Sequence, residues 1–248
     1  MNIEDVNQQC KKLKLASLPK ALEDQENAYD IASIPFLDRL YNLFSYELAS
    51  RKNKKINHLI RSSKIRYDVD ISQIDFSAER NLSKETVTNL LTGGYIKLGR
   101  NIVIQGATGT GKTYLASLFG QTACRQLYSV NYYRIERLLT TLAIARKTGD
   151  YDRIMRSLKK VDLLILDDFG MNKYTFEETK NLMELIEDRN ESKSIIFISQ
   201  LNISEWYQLF SDNTFADAIM DRISNRSTII SLKGESLRKE NKNWKNIN

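Results

Sequence analysis

The stretch VDLLILDDFG, Val161 to Gly170, decides the fold. Four large aliphatics, Leu163 to Leu166, run without alternation into two carboxylates, Asp167 and Asp168. A run that apolar, with no polar face, reads as a strand covered on both sides, as in a parallel sheet. Buried carboxylates are costly unless something neutralises them. The end of this strand therefore needs a positive partner.

Working outward, the chain from Asn101 onward alternates strands and helices. Strands are expected over 101–105, 129–134, 162–167, 194–199 and 227–232, with helical stretches over 112–127, 135–147, 150–160 and 175–190. Such alternation implies right-handed crossovers and a parallel α/β sheet flanked by helices. Residues 233–248 are too few for a full C-terminal helical lid domain. Upstream, residues 1–66 read as a small helical N-terminal domain. Pro35 stands at a helix start, and Leu37, Leu40, Tyr41, Phe44 and Leu48 follow at helical spacing. Residues 67–83 look like a connector opening the second domain, 67–248. Ser83 is placed to cap a helix over 84–92, ended by Gly93-Gly94.

Composition excludes several classes. With 248 residues, 42% of them hydrophobic, the chain can build a sizeable core. It has no apolar run of about 18 residues, and its N-terminus has no secretory pattern. Two distant cysteines, Cys10 and Cys124, with one histidine, His58, exclude a Cys/His zinc cluster and point to the cytoplasm. A Ser-His-Asp triad would need His58, which sits in a basic run with no acid nearby. Net charge is +6, compatible with nucleic acid without establishing it.

Directly after the first strand comes GATGTGKT: Gly106, Ala107, Thr108, Gly109, Thr110, Gly111, Lys112, Thr113. This is G-x-x-x-x-G-K-[ST] between a strand and a helix, where a phosphate loop belongs. Glycines let backbone N–H groups turn inward onto phosphate oxygens, and the helix N-terminus, reaching Tyr114, faces the same anion. Lys112 is placed to reach the β and γ phosphates of ATP, and Thr113 to offer a hydroxyl to Mg²⁺. The two carboxylates now have their partner. Asp167 is the acid that holds Mg²⁺. Asp168 stands where related ATPases usually carry a water-activating Glu, one methylene longer; it could instead cap the turn at Gly170. Gln200, after the strand SIIFIS, is placed to orient the lytic water or is a turn residue. Arg222 is a candidate arginine finger for a neighbour's γ-phosphate. The alternative is an ion pair within its own chain, with Arg226 as rival finger.

GATGTGKTYLA, DLLILDDFG, IFISQLNISEW, ADAIMDRI and LKGESLRK, in that order, resemble the IstB family. These are AAA+ ATP-binding helper proteins of insertion sequences, close to the bacterial helicase loader DnaC. The resemblance covers nearly the whole chain. It implies an ATPase that forms oligomers on duplex DNA with ATP bound, bends it, and delivers it to a partner transposase. It also implies the phosphate and metal roles of Lys112 and Thr113, the Walker B roles of Asp167 and Asp168, and a sensor role for Gln200. Arg222 matches the family's finger position, and Arg238, in the closing G-x-S-x-R, a second phosphate sensor. The sequence departs from the family pattern at MNKYTFEET, 171–179.

Between Arg51 and Arg66 lie seven cations and no acid: Arg51, Lys52, Lys54, Lys55, Arg61, Lys64 and Arg66. They are expected to meet DNA phosphates with salt-sensitive affinity and no base readout. A solvated helix face is the other reading, and a face for a protein partner a third. Three functions follow. One is a transposition helper on double-stranded DNA, and one a helicase loader. The third is a nucleotide-gated scaffold, for which Asp168→Asn must leave turnover unchanged.

Overall fold

The computed structural model describes residues 3–28 and 30–237, so Arg238 lies outside the described residues. The chain forms two compact units, Met1–His58 and Leu59–Asn248. In the first, α1 (Ile3–Lys12), α2 (Leu18–Glu26) and most of α3 (Phe36–Ser63) bury Cys10, Leu18 and Ala21. The helix at Pro35 begins one residue later than the proline, which supplies the carbonyl for Asp38 and Arg39 N–H. Glu47 is buried there, accepting from the Ser17 N–H at 2.7 Å and pairing with Arg51. The apolar stripe of α3 is not core: Leu37, Tyr41, Phe44 and Leu48 are all exposed.

The second unit holds α4 (Lys84–Leu91), capped by Ser83, and the short α5 (Gly94–Lys97). Then follow β1 (Asn101–Gly106), α6 (Lys112–Arg125), β2 (Val130–Arg134), α7 (Ile135–Thr148) and α8 (Tyr151–Lys160). The chain continues through β3 (Leu163–Phe169), α9 (Phe176–Arg189), β4 (Ser194–Ser199), α10 (Asn213–Ser224) and β5 (Ser227–Leu232). All pairings are parallel, in the order β2-β3-β4-β1-β5. Burial explains the missing polar alternation. Ile102, Ile104, Leu163 and Ile165 join one core, with α4 and α6, while Val103, Leu164 and Leu166 join the other, with α7 to α10.

Two features go beyond the sequence reading. β3 runs past Asp167 to Phe169, with its register against β4 shifted between Leu166 and Phe169. The irregularity puts Asp168 at φ +60°, a left-handed conformation that a non-glycine residue adopts at some cost. The divergent stretch after Gly170 is also ordered by packing. Tyr174 stacks on Phe210, its hydroxyl accepts from the Gly170 N–H at 2.9 Å, and Thr175 with Glu178 forms a capping box for α9.

Candidate nucleotide site

The sheet order builds the site. β4 lies between β1 and β3, so the loop after β1, the end of β4 and the acids of β3 come side by side. This is the crevice at the carboxyl ends of the strands, where open α/β sheets bind ligands. It is an open cleft of about 550 Å³, lined by Thr108, Gly109, Lys112, Thr113, Asp167 and Gln200 among others.

The loop glycines have structural reasons. Gly106 has φ +146°, and a Cβ there would lie 2.3 Å from the Leu232 carbonyl oxygen of β5. Gly109 has φ +86°, and its Cβ would meet Ser236 at 2.1 Å. The loop is thus pressed against the end of β5 and the residues after it, and the Leu237 N–H donates to the Gly109 carbonyl at 3.0 Å. Thr110 donates back to Ala107 at 2.9 Å, closing the turn. Gly111 caps α6, so the first helical residue is Lys112. Its ammonium donates to the carbonyls of Gly106 at 2.6 Å and Ala107 at 2.7 Å, folded over the loop mouth.

Thr113 donates to Asp167 Oδ2 at 3.1 Å. Asp167 is 3% exposed and also accepts from the Tyr132 hydroxyl and from the Asp168 N–H, the latter at 2.8 Å. Burial pushes its pKa up and the charge of Asp168 adds to that, while Tyr132, Thr113 and the backbone donor oppose it. A hydroxyl and a carboxylate are hard oxygen donors of the kind Mg²⁺ takes when substrate phosphates and water supply the rest. Among the described residues no cluster of three or more His, Cys, Asp or Glu could hold a metal by itself. Asp168 projects to the cleft edge and pairs with Arg134 Nε at 3.4 Å. Gln200 accepts from Thr108 at 2.8 Å, bridging β4 and the loop.

The remaining candidates lie elsewhere. Arg222 does not line the cleft: it pairs with Glu187 and donates to the Ala218 carbonyl at 2.9 Å. Arg226 pairs with Glu191 at 2.6 Å. Within the first unit, Arg51 pairs with Glu47 and donates to the Lys14 carbonyl at 2.7 Å, Lys54 approaches Ser17 at 3.5 Å, and Lys52 and Lys55 are exposed. In the second, Arg61, Lys64 and Arg66 are exposed, and Lys64 sits over the Tyr133 ring.

Sequence reasoning named 67–83 a connector and missed its part in the site. Tyr114 is turned toward the connector, donating to Gln73 at 2.6 Å and accepting from the Asp70 N–H at 3.1 Å. Arg80 donates to the Glu235 carbonyl at 2.7 Å and Asn81 to that of Ser231 at 2.9 Å. Gln73, Ile74, Leu82, Leu115 and Leu237 thereby enclose a largely apolar recess beside Gly111, of a kind that suits a nucleobase. Ile74 and Leu82 are the apolar residues that the connector gives to this recess.

Comparison with known proteins agrees with this architecture. Residues 8–245 match the family model described as IstB-like ATP binding protein. The insertion sequence ATP-binding protein y4pL of Sinorhizobium fredii (strain NBRC 101917 / NGR234) is 35% identical over 225 residues, 91% of this chain and 92% of its own length. The ATP-binding protein of insertion sequence IS1162 from Pseudomonas fluorescens is 37% identical over 194 residues, 78% of this chain and 84% of its own. Among solved structures, the DnaC helicase loader superposes with a TM-score of 0.58 at 15% identity, covering 71% of this chain and 99% of that one. DnaI gives 0.59 at 17% identity, covering 71% and 94%. At such identity these two show a shared α/β fold and nothing more. The chain belongs to the family of IstB-like ATP-binding proteins.

Proposed function

We propose that this protein is a cytoplasmic, Mg²⁺-dependent ATPase that assembles on duplex DNA and presents it to the transposase of its own insertion sequence. Family membership supports the transposition context. The observation that carries the nucleotide chemistry is the Thr113 hydroxyl set 3.1 Å from the buried Asp167 carboxylate, beside the Lys112 loop. Lys112 and the loop from Gly106 to Tyr114 would hold the phosphates. Thr113 and Asp167 would hold Mg²⁺, which when bound offsets charge on the phosphate oxygens. Asp168 would polarise the attacking water and Gln200 orient it. Arg222 of a neighbouring copy would complete the site, with Arg238 sensing phosphate. Residues 67–248 then form the ATPase domain. Residues 1–66 carry Arg51, Lys52, Lys54, Lys55, Arg61, Lys64 and Arg66 as cations for the DNA backbone.

One observation favours a second reading, a helicase loader. The exposed stripe Leu37, Tyr41, Phe44 and Leu48 on α3 is large for a surface without a partner. Mass photometry of the full chain with ATP, Mg²⁺ and DNA of equal length separates the two. Large assemblies only on duplex support the transposition helper, and assemblies only on single strands support the loader. Lys112→Ala should abolish the ATP-dependent assembly, because the loop loses its cation. Assembly unchanged in that variant would refute the coupling of nucleotide to DNA.

A further inference from the structure

Past β5 the chain runs back over the phosphate loop as a short strap, residues 233–237. The strap belongs to no helix or strand, so its course is fixed by contacts outside itself. The hydrogen bonds described for it run to two residues. Near its start and middle the partner is Arg80. The Lys233 N–H donates to the Arg80 carbonyl at 3.2 Å, and Arg80 Nη1 donates to the Glu235 carbonyl at 2.7 Å. At its end the partner is the loop itself, where the Leu237 N–H donates to the Gly109 carbonyl at 3.0 Å.

Arg80 is in turn held from behind. Its Nε donates to Asp75 Oδ2 at 3.0 Å, and Asp75 Oδ1 accepts from the Ser77 N–H at 2.9 Å. The Arg80 side chain is only 11% exposed, so water competes little for its charge-assisted bonds. The contact with the strap is close. Gly234 has φ +92°, and a Cβ there would lie 2.9 Å from Arg80 Nη1. On the loop side, Ser236 packs against Gly109, and a Cβ at Gly111 would lie 3.3 Å from Leu237 Cδ1. Contact is therefore continuous from Asp75, through Arg80 and the strap, to the two glycines that precede Lys112. Arg80 does not line the cleft of Thr113 and Asp167, but it lines the apolar recess together with Leu237.

We propose that Arg80 is a positioning residue for nucleotide binding, which clasps the strap against the phosphate loop and sets Leu237 as a wall of the base recess. The proposal rests on the nucleotide site described above and adds the residue that keeps that site assembled. A glycine-rich loop must be ordered before its N–H groups converge on phosphate, and a docked strap meets that cost in advance. Apparent affinity falls by the fraction of molecules in which the strap is docked. A bond from a charged donor is strong enough that its loss leaves about one molecule in ten docked. The acids of β3 are untouched by the clasp, so the chemical step proceeds once nucleotide is held. The strap meets the loop and the recess, which ATP and ADP would share, so the loss falls on both alike.

The test uses the full chain, with Mg²⁺ and either ADP or a non-hydrolysable ATP analogue, titrated by calorimetry. Arg80→Ala should raise the Kd for each about tenfold. KM for ATP should rise by the same factor, with kcat at saturating ATP within about twofold of wild type, the mark of lost uniform binding. Arg80→Lys keeps a donor for the Glu235 carbonyl and should regain part of the affinity. Gly234→Ala, which sets a methyl group where the guanidinium lies, should reproduce the loss with Arg80 in place. Hydrogen exchange reads the strap directly: ADP should slow the Leu237 amide in wild type, and Arg80→Ala should speed it without nucleotide. An unchanged Kd in Arg80→Ala, whatever happens to its melting temperature, makes the clasp merely structural and overturns the proposal. A loss for the ATP analogue but not for ADP would place the effect at the γ-phosphate and overturn it as well. Wild-type protein that binds neither nucleotide sinks the nucleotide reading itself, and the proposal with it.

Discussion

Asp167 shows what a buried carboxylate draws around it. Its oxygens take donors from Thr113, Tyr132 and the Asp168 N–H, which oppose without cancelling the burial that pushes its pKa up. Lys112, Thr113 and Asp167 were legible in the sequence because a fixed spacing and an apolar strand define them. Tyr132 was not, because its role depends on register. It pairs with Ile165 across the ladder, on the same face as Asp167 two residues on, and only strand pairing puts its hydroxyl on that carboxylate. Removing this outer-shell donor should cost metal affinity. Tyr132→Phe is expected to raise the Mg²⁺ concentration for half-maximal turnover about tenfold, at the low end for groups that support a metal ligand. An Mg²⁺ titration at saturating ATP measures it, and an unchanged midpoint would remove Asp167 from the metal site.

At the scale of elements, the strand that ends in Asp167 and Asp168 is preceded by another acid whose role is structural. Asp162, just before β3, accepts from the Ser129 N–H at 2.9 Å and hydroxyl at 2.7 Å, and from Lys193 at 2.6 Å. It thereby ties the entrances of β2, β3 and β4. Burial raises its pKa, but Lys193 and Ser129 outweigh that and hold it below the usual carboxylate value. A carboxylate with a depressed folded pKa stabilises the fold above its unfolded pKa, and that stability is lost as pH falls through the folded value. Asp162→Asn should therefore lower stability by about 1.5 kcal/mol at pH 7, the low end for a hydrogen bond to a charged group, since the side chain is partly exposed. The gap to wild type should narrow below about pH 4, where the unfolded carboxyl protonates. Thermal melts at both pH values test it, and a constant gap would mean that the charge is irrelevant. Strand and helix positions were legible because apolar runs and periodicity mark them. Sheet order was not, since β1 and β2 are sequence neighbours yet lie three strands apart. Nor was the irregularity at Asp168, which has no residue-type signature. The connector's part in the site hid for another reason: Asn81 and Arg80 bond to backbone of β5 and of the residues just after it, more than a hundred positions away.

At the scale of the whole molecule, one chain brings the phosphate-loop sequence, Thr113, Asp167 and Asp168 to one cleft, while Arg222, the proposed finger, lies away from it. Arg222 sits against α9, paired with a half-exposed Glu187, and its buried Nε has no partner among the described residues. Because Glu187 is half exposed, water screens the outer side of the pair, and Arg222 can exchange it for an anion on a second copy. If the finger acts across subunits, Arg222→Ala should leave ATP binding by unassembled protein unchanged. Turnover on DNA should fall about a thousandfold, in the range known for arginine fingers. Mixing gives the sharper test. Arg222→Ala subunits keep an intact loop, and Lys112→Ala subunits keep an intact Arg222. Where the first type meets the second at the correct interface, a complete site forms, so a mixture should regain turnover that neither variant shows alone. A structural role for the Arg222–Glu187 pair predicts lowered melting temperature and no regain. Regain absent for Arg222 but present for Arg226→Ala would move the finger to Arg226, whose partner Glu191 is still more exposed.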